Sequence, residues 1–405
     1  IYFYMKTAII GGGAAAFFAA INTKENFPDS EVFLFEKTTK LLSKVLVSGG
    51  GRCNVTNSET SISSFSKCYP RGEKQLKKLF GTFNNQNTIK WFESRGVELV
   101  AEQDGRMFPK SNTSQTIYDL FVLESERLGI KIQLKSGVNS IKTEGEKINL
   151  EVNGQNLLFD KVIVCTGGSP KLEGFNWIKT LGHTIENPVP SLFTFNIPNE
   201  KITKLMGLSV PNAIVSIQGT KLKNQGALLI THWGMSGPAV LKLSSFGARL
   251  LAERKYNFNI NISWCGESNF EGVKEYFISV IKENPKKKLF NIRPFNFPKR
   301  LWSYLLERSE ISEEKPWGEL GKKHLNKLVQ TICNDTYSVN GKTTFKEEFV
   351  TCGGIGLESI NMKTMESKHI KNLYFAGEIL DIDGITGGFN FQAAWTTAFI
   401  SSKLN

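Results

Sequence analysis

The sequence has no paired cysteines. Its six, at positions 53, 68, 165, 265, 333 and 352, stand singly. Without a CxxC or a metal-like spacing, a disulfide framework and a structural zinc are excluded, and a reduced, cytosolic chain is expected. No apolar run of about 20 residues occurs beyond the first turn of the chain, so no membrane span is expected. Internal repeats and low-complexity tracts are also missing, which excludes solenoids and long linkers. Acidic residues are scarce in the middle third. Between Pro190 and Thr344 there are 22 Lys/Arg against 12 Asp/Glu, a balance of +10, whereas the remaining residues hold 28 against 26, a balance of +2. Such a basic segment suits either a phosphate-bearing partner or a lysine-rich solvated surface.

What remains is an ordinary globular composition, 40% apolar and 22% charged over 405 residues, enough for two domains. Four residues, IYFY, precede Met5 as an extension. The apolar run from Thr7 to Ile21, flanked by Lys6, has the look of a secretory signal. It also carries a sharper pattern. Thr7–Ile10 reads as a buried strand, Gly11–Gly13 as a turn, Ala14–Thr23 as a helix and Val32–Phe35 as a second strand, together a βαβ unit of a parallel sheet.

Gly11, Gly13 and Ala16 fit GxGxxA. The first glycine makes the tight turn, the second admits a pyrophosphate to the backbone, and the small third residue lets helix and strand pack closely. Glu36, at the end of the second strand, is placed to accept from ribose hydroxyls. A dinucleotide is therefore expected. No second GxGxxG in strand-to-helix context follows, so no dedicated nicotinamide domain is expected.

The C-terminal run NLYFAGEILDIDGITGGFNFQAAW selects FAD over NAD. Strand LYFA is followed by Gly377 and the acid Glu378, then by Asp381, Asp383, Gly384, Gly387 and Gly388, and by a helix from about Phe391. An acid after that strand holds a ribityl chain in flavoproteins of the glutathione-reductase type, and a helix N-terminus favours the negative charge of reduced flavin. A second glycine run, SGGGRCNVTN at Ser48–Asn57, is expected to lie along the same cofactor, with Gly49–Gly51 as backbone donors and Arg52 paired to phosphate.

These runs, with THWGMSGPAVLKLS from Thr231 and VTCGGI before the last strand, resemble the BaiN/RdsA group of flavoproteins, also known as aminoacetone oxidase-like. The likeness spans nearly the whole chain. It implies a glutathione-reductase-like Rossmann FAD domain, α/β and discontinuous (1–189 and 345–405), interrupted by a β-rich domain (190–344) with a helical part at about 271–327. One departure is visible: the group's third glycine is replaced here by Ala15 or Ala16. Carried along the motifs, the expected cofactor contacts are Gly11, Gly13, Ala14, Ala15 and Ala16 in the first turn, then Glu36, Lys37 and Lys44. Gly50, Gly51, Arg52 and Asn54 follow in the second run, with Val138, Thr166 and Gly167 downstream. Gly377, Glu378, Asp383, Gly388, Phe389 and Asn390 close the set.

The resemblance further implies NAD(P)H-dependent saturation of an activated C=C bond, including uracil in ribosomal RNA, and links other members to amine substrates. An oxygen-using amine oxidase and a non-catalytic RNA-binding redox sensor are the alternative readings. For a reductase, an acid must protonate the carbon that does not receive hydride. Cys53, beside cationic Arg52, and His232 are the candidates, each weighed against simple packing or capping. The stretch PKKKLFNIRPFNFPKRLWSYLLER interleaves cations with Phe295, Phe297, Trp302 and Tyr304, as single-stranded RNA binders do. The helical spacing of Leu301, Leu305 and Leu306 assigns those rings to a core instead.

Overall fold

The computed structural model describes residues 4–344 and 350–405. The first three residues of IYFY and the expected domain boundary at 345 lie outside the described residues. Strand β1 (Lys6–Ile10), helix α1 (Ala14–Asn26) and strand β2 (Glu31–Phe35) open the chain. β1 pairs in parallel with β2 and with strand Lys161–Val164, and the latter pairs in parallel with Leu373–Phe375. Lys131–Gln133 adds a fifth parallel strand beside β2. Two short antiparallel strands, Ile360–Asn361 and Glu366–Ser367, complete a seven-stranded sheet.

Side chains alternate across a strand, so each strand here feeds two cores. Ile9, Leu34, Ile163 and Tyr374 share one core with α1 and with the closing helix Phe389–Ser401. Ile10, Phe35, Val164 and Phe375 share the other with Ile141, Ile148 and Leu150 of an antiparallel meander, Val138–Glu144, Lys147–Val152 and Gln155–Phe159. The run Thr7–Ile21 is thus buried almost throughout as strand and helix of this sheet, as the sharper βαβ pattern expects.

The chain divides into two compact units, Ile1–Ser191 with Phe345–Asn405, and Leu192–Thr344. The second unit is built on an antiparallel sheet of seven strands. Its spatial order is Asp335–Asn340, Asn257–Ser263, Ser209–Ile217, Lys223–Ile230, Gly234–Ser236, Thr194–Asn196, Lys342–Thr343. Helices Phe270–Glu283, Lys299–Arg308 and Lys322–Cys333 supply its helical portion. Its core holds Trp264, Phe277, Trp302 and Trp317.

That core settles the aromatic stretch. Trp302 is fully buried, its indole N–H donating to the Leu289 carbonyl at 2.8 Å and its ring stacked near Trp317 at 6.1 Å between centroids. Phe297 and Tyr304 are buried too, and the half-buried Phe295 packs on Tyr276. The core reading holds: the rings turn inward, leaving Lys286, Lys287, Lys288, Arg293, Lys299 and Arg300 exposed. Among the described residues no helix is long and apolar enough to cross a membrane.

Candidate functional site

Register decides where the site lies. Ile10 is level with Phe35 and Val164, and Val164 with Phe375, so four parallel strands end together. Within two residues beyond these ends begin Gly11–Gly13, Glu36, Thr166–Gly167 and Gly377–Glu378. The carboxyl edge of a parallel sheet is where α/β folds bind ligands, because loops leave there and helix N-termini face it.

Each glycine of the first turn has its own reason. Gly11 has φ +121°, and a Cβ there would stand 2.5 Å from the Cys165 carbonyl oxygen. A Cβ on Gly12 would stand 2.8 Å from Glu36 Oε2, so only glycine lets that carboxylate lie against the turn. Glu36 Oε1 accepts from the Thr38 amide at 2.8 Å, which fixes its rotamer. Gly13 differs: it caps α1, has extended backbone (φ −95°) and would meet nothing within 4 Å of its Cβ. No side chain caps α1 and no acid occupies its first turn, so its free N–H groups and positive dipole end face open space. An open approach to bare backbone at an uncapped helix is what a pyrophosphate requires.

The second glycine run repeats the device. Gly49, Gly50 and Gly51 all take left-handed backbone, φ +58°, +70° and +83°, and the chain doubles back at the end of a short helix starting at Ser43. Gly50 and Gly51 are open in the same sense as Gly13. Asn54 ties this run to the closing helix. With its amide oriented to satisfy both ends, it donates to the Thr56 carbonyl and accepts from the Gly388 amide, each at 2.9 Å. Trp395 Nε1 donates to the Val55 carbonyl at 2.9 Å, and Thr56 Oγ1 donates to Gln392 Oε1 at 2.6 Å. The closing helix also starts on a glycine, Gly388 (φ +91°), without a side-chain cap. It begins at Phe389, two residues before the expected start.

The remaining expected contacts fall as follows. Gly377 (φ +81°) lies against Ala15, where a Cβ would come within 2.8 Å of the alanine's own. Glu378 Oε1 accepts from the Thr351 amide at 2.9 Å, and Lys44 Nζ donates to Glu378 Oε2 at 2.5 Å. Lys37 is exposed beside Glu36, and Val138 starts the meander just past Gly137, whose Cβ would touch Lys37. Ala14, Ala16, Thr166 and Gly167 stand at the edge with the turns they belong to. Asn390 holds the Gly384 loop by accepting from its amide at 2.8 Å and donating to its carbonyl at 3.0 Å.

The other expected residues have these surroundings. Arg52 is ion-paired with Glu102 at 2.7 Å and lies over the Phe108 ring at 4.0 Å. Cys53 is fully buried in the core, and burial pushes its thiol up to about 12. Asp383 is fully buried and ion-paired with Arg71, with Ser191 Oγ donating to it at 2.8 Å; its carboxylate braces the loop. Burial pushes its carboxyl up, against the opposing pull of Arg71. Phe389 packs its ring edge-on to Phe65 and Tyr69, 5.0 and 5.9 Å between centroids, as core. His232 lies in the second unit, exposed, with its ring 4.4 Å from that of Trp233.

Two site residues escaped the sequence reading. Gly12 makes room for Glu36, and Thr351, buried behind Gly168, hands its amide to Glu378. The Thr351 hydroxyl has no protein partner. Thr351 belongs to VTCGGI, the one signal that pointed there.

A parallel sheet with two uncapped helix N-termini and open glycine turns along one edge defines a Rossmann-type FAD-binding oxidoreductase fold. Glu36, Gly13, Gly50, Gly51 and Glu378 fit the dinucleotide that such a fold holds. The HI0933-like protein Rossmann domain matches residues 5–404, and the chain belongs to that family. It is 30% identical to the ribosomal RNA dihydrouridine synthase of Haemophilus influenzae, over 98% of this chain and 97% of that one. It is 27% identical to the 3-dehydro-bile acid delta(4,6)-reductase of Clostridium scindens, over 98% of both. The fold is similar to that of 3-ketosteroid delta1-dehydrogenase from Sterolibacterium denitrificans, with TM-score 0.52, 12% identity and 98% of each chain covered. The resemblance to the BaiN/RdsA group stands on these relatives.

Proposed function

We propose that this protein uses NAD(P)H to saturate an activated carbon–carbon double bond, and that the substrate is a uracil of ribosomal RNA. The observation that carries the reading is the full-length likeness to two relatives whose names both denote saturation of a C=C bond. The exposed cations Lys286–Lys288, Arg293, Lys299 and Arg300, within a segment of balance +10, favour a polyanion over a steroid acid.

Bound FAD supplies hydride chemistry at its ring. The chain's own work is placement. Gly13 and the α1 N-terminus would hold the pyrophosphate, Glu36 the adenosine ribose, and Glu378, steadied by Lys44 and the Thr351 amide, the ribityl side. The uncapped N-terminus of the closing helix would favour negative charge on the ring. Substrate contacts are assigned to the second unit, residues 190–344. Cys53 and His232 are the candidate proton sources.

The test is to map dihydrouridine in ribosomal RNA from cells with and without the gene, alongside anaerobic titration of the purified protein with NADPH and NADH. Loss of a dihydrouridine on deletion, with flavin bleaching by either nicotinamide, is the expected result. An unchanged RNA map rejects the substrate, and failure of both nicotinamides to bleach the protein rejects the reductant.

A further inference from the structure

Cys265 and Cys333 are 68 residues apart, and each stands alone in the sequence. The second unit brings them together. Cys265 lies two residues past the end of strand Asn257–Ser263, and Cys333 ends helix Lys322–Cys333. One residue before each, the Trp264 amide donates to the Ile332 carbonyl at 2.8 Å, which clamps strand end to helix end. The two sulfurs stand 4.0 Å apart.

Both cysteines are half-buried rather than enclosed. Cys333, with Ser263, Gly266, Glu267 and Ser268, lines a cleft of about 610 Å³, and the neighbouring Cys265 is itself partly exposed. Their surroundings differ. The Cys333 thiol hydrogen-bonds to Cys265 and draws it down to about 7, helped by Ser263 Oγ at 3.5 Å. Cys333 is pushed upward by the neighbouring sulfur and by burial. One sulfur is thus the better nucleophile and the other remains a thiol beside it, the arrangement of an attacking and a resolving cysteine.

We propose that Cys265 and Cys333 form a peroxide-oxidisable pair that closes reversibly to a disulfide within the second unit. The Cys265 thiolate attacks one oxygen of hydrogen peroxide and the O–O bond breaks. Cys265 becomes a sulfenic acid, and the departing hydroxide takes a proton to become water. The Cys333 sulfur then attacks the sulfenic sulfur and the S–O bond breaks. Hydroxide leaves with the Cys333 proton as a second water, and the S–S bond forms. The two thiols lose two electrons and two protons, and peroxide is reduced to two waters. A dithiol reverses the bond by exchange, becoming a disulfide itself. The sulfurs must approach by about 2 Å to reach bonding distance.

The test uses full-length, FAD-loaded, pre-reduced protein exposed to equimolar hydrogen peroxide, alkylated and digested without reductant. The expected product is a peptide cross-linked through Cys265 and Cys333, lighter by two hydrogens and released by dithiothreitol. It should form about tenfold faster than any oxidation at Cys68, the half-buried cysteine of the other unit. Cys333→Ser should trap a dimedone-reactive sulfenic acid on Cys265, and Cys265→Ser should leave Cys333 unoxidised at the same dose. Wild-type protein that forms no such cross-link, or that oxidises Cys68 first, overturns the proposal whether or not the variants fold.

Discussion

Lys44 Nζ lies 2.5 Å from Glu378 Oε2, joining the chain's first hundred residues to its last thirty across 334 positions. Lys44 is half-exposed, so solvent screening keeps the pair's contribution to stability small. Its use is to hold a carboxylate whose other oxygen takes the Thr351 amide. Glu378→Ala should therefore weaken FAD binding about tenfold or more, roughly 1.4 kcal/mol, with little change in unfolding temperature. Flavin fluorescence titration of the deflavinated protein checks it, and unchanged affinity would remove Glu378 from the site.

Gly11 and Gly13 separate fold from function. Gly13→Val places carbon in open space on extended backbone, so the deflavinated variant should unfold within about 0.5 kcal/mol of wild type yet lose FAD affinity by at least about tenfold. Gly11→Ala meets a positive φ and a carbonyl oxygen at 2.5 Å, and should cost about 1–3 kcal/mol with or without cofactor. Equal loss of stability in both variants would mean that the space before Gly13 has no ligand.

His183 gives stability a pH dependence. It is almost fully buried, with Nε2 2.8 Å from Ser367 Oγ, and burial together with nearby His369 lowers it from 6.5 to about 4. In that window the unfolded chain binds a proton that the native state refuses. Stability should fall as pH drops from about 6.5 to 4, by at most about 3 kcal/mol. Replacement by Gln should flatten the slope of denaturation midpoint against pH over that range, and an unchanged slope would acquit His183.

Trp302 and the lysines beside it should behave oppositely. Trp302→Ala removes a fully buried indole and should cost about 3–5 kcal/mol. Replacing exposed Lys286, Lys287 and Lys288 by Gln should leave the unfolding temperature nearly unchanged but reduce the salt dependence of RNA binding, by up to about three in slope. Salt titrations of binding to a ribosomal RNA fragment distinguish the two.

The fold class was legible because its signals are local. Thr7–Ile10, Val32–Phe35, Lys161–Cys165 and Leu373–Ala376 are short apolar runs ending in glycine or an acid, and each became a parallel strand ending at the site edge. Side-chain roles were less legible. Arg52 carries the charge a phosphate needs, yet Glu102, fifty residues away, takes it. Asp383 sits in a loop of acids and glycines like a ligand, yet Arg71 claims it.

Sequence alone determined the turns, since positive φ, an uncapped helix and an acid after a strand are properties of a few consecutive residues. Tertiary structure alone decided which side chains are free to act, because burial and partnership depend on segments that meet only after folding. Cys53, a candidate acid weighed against simple packing, went into the core, while Cys265 and Cys333, which had nothing to mark them, came to rest 4.0 Å apart beside a cleft.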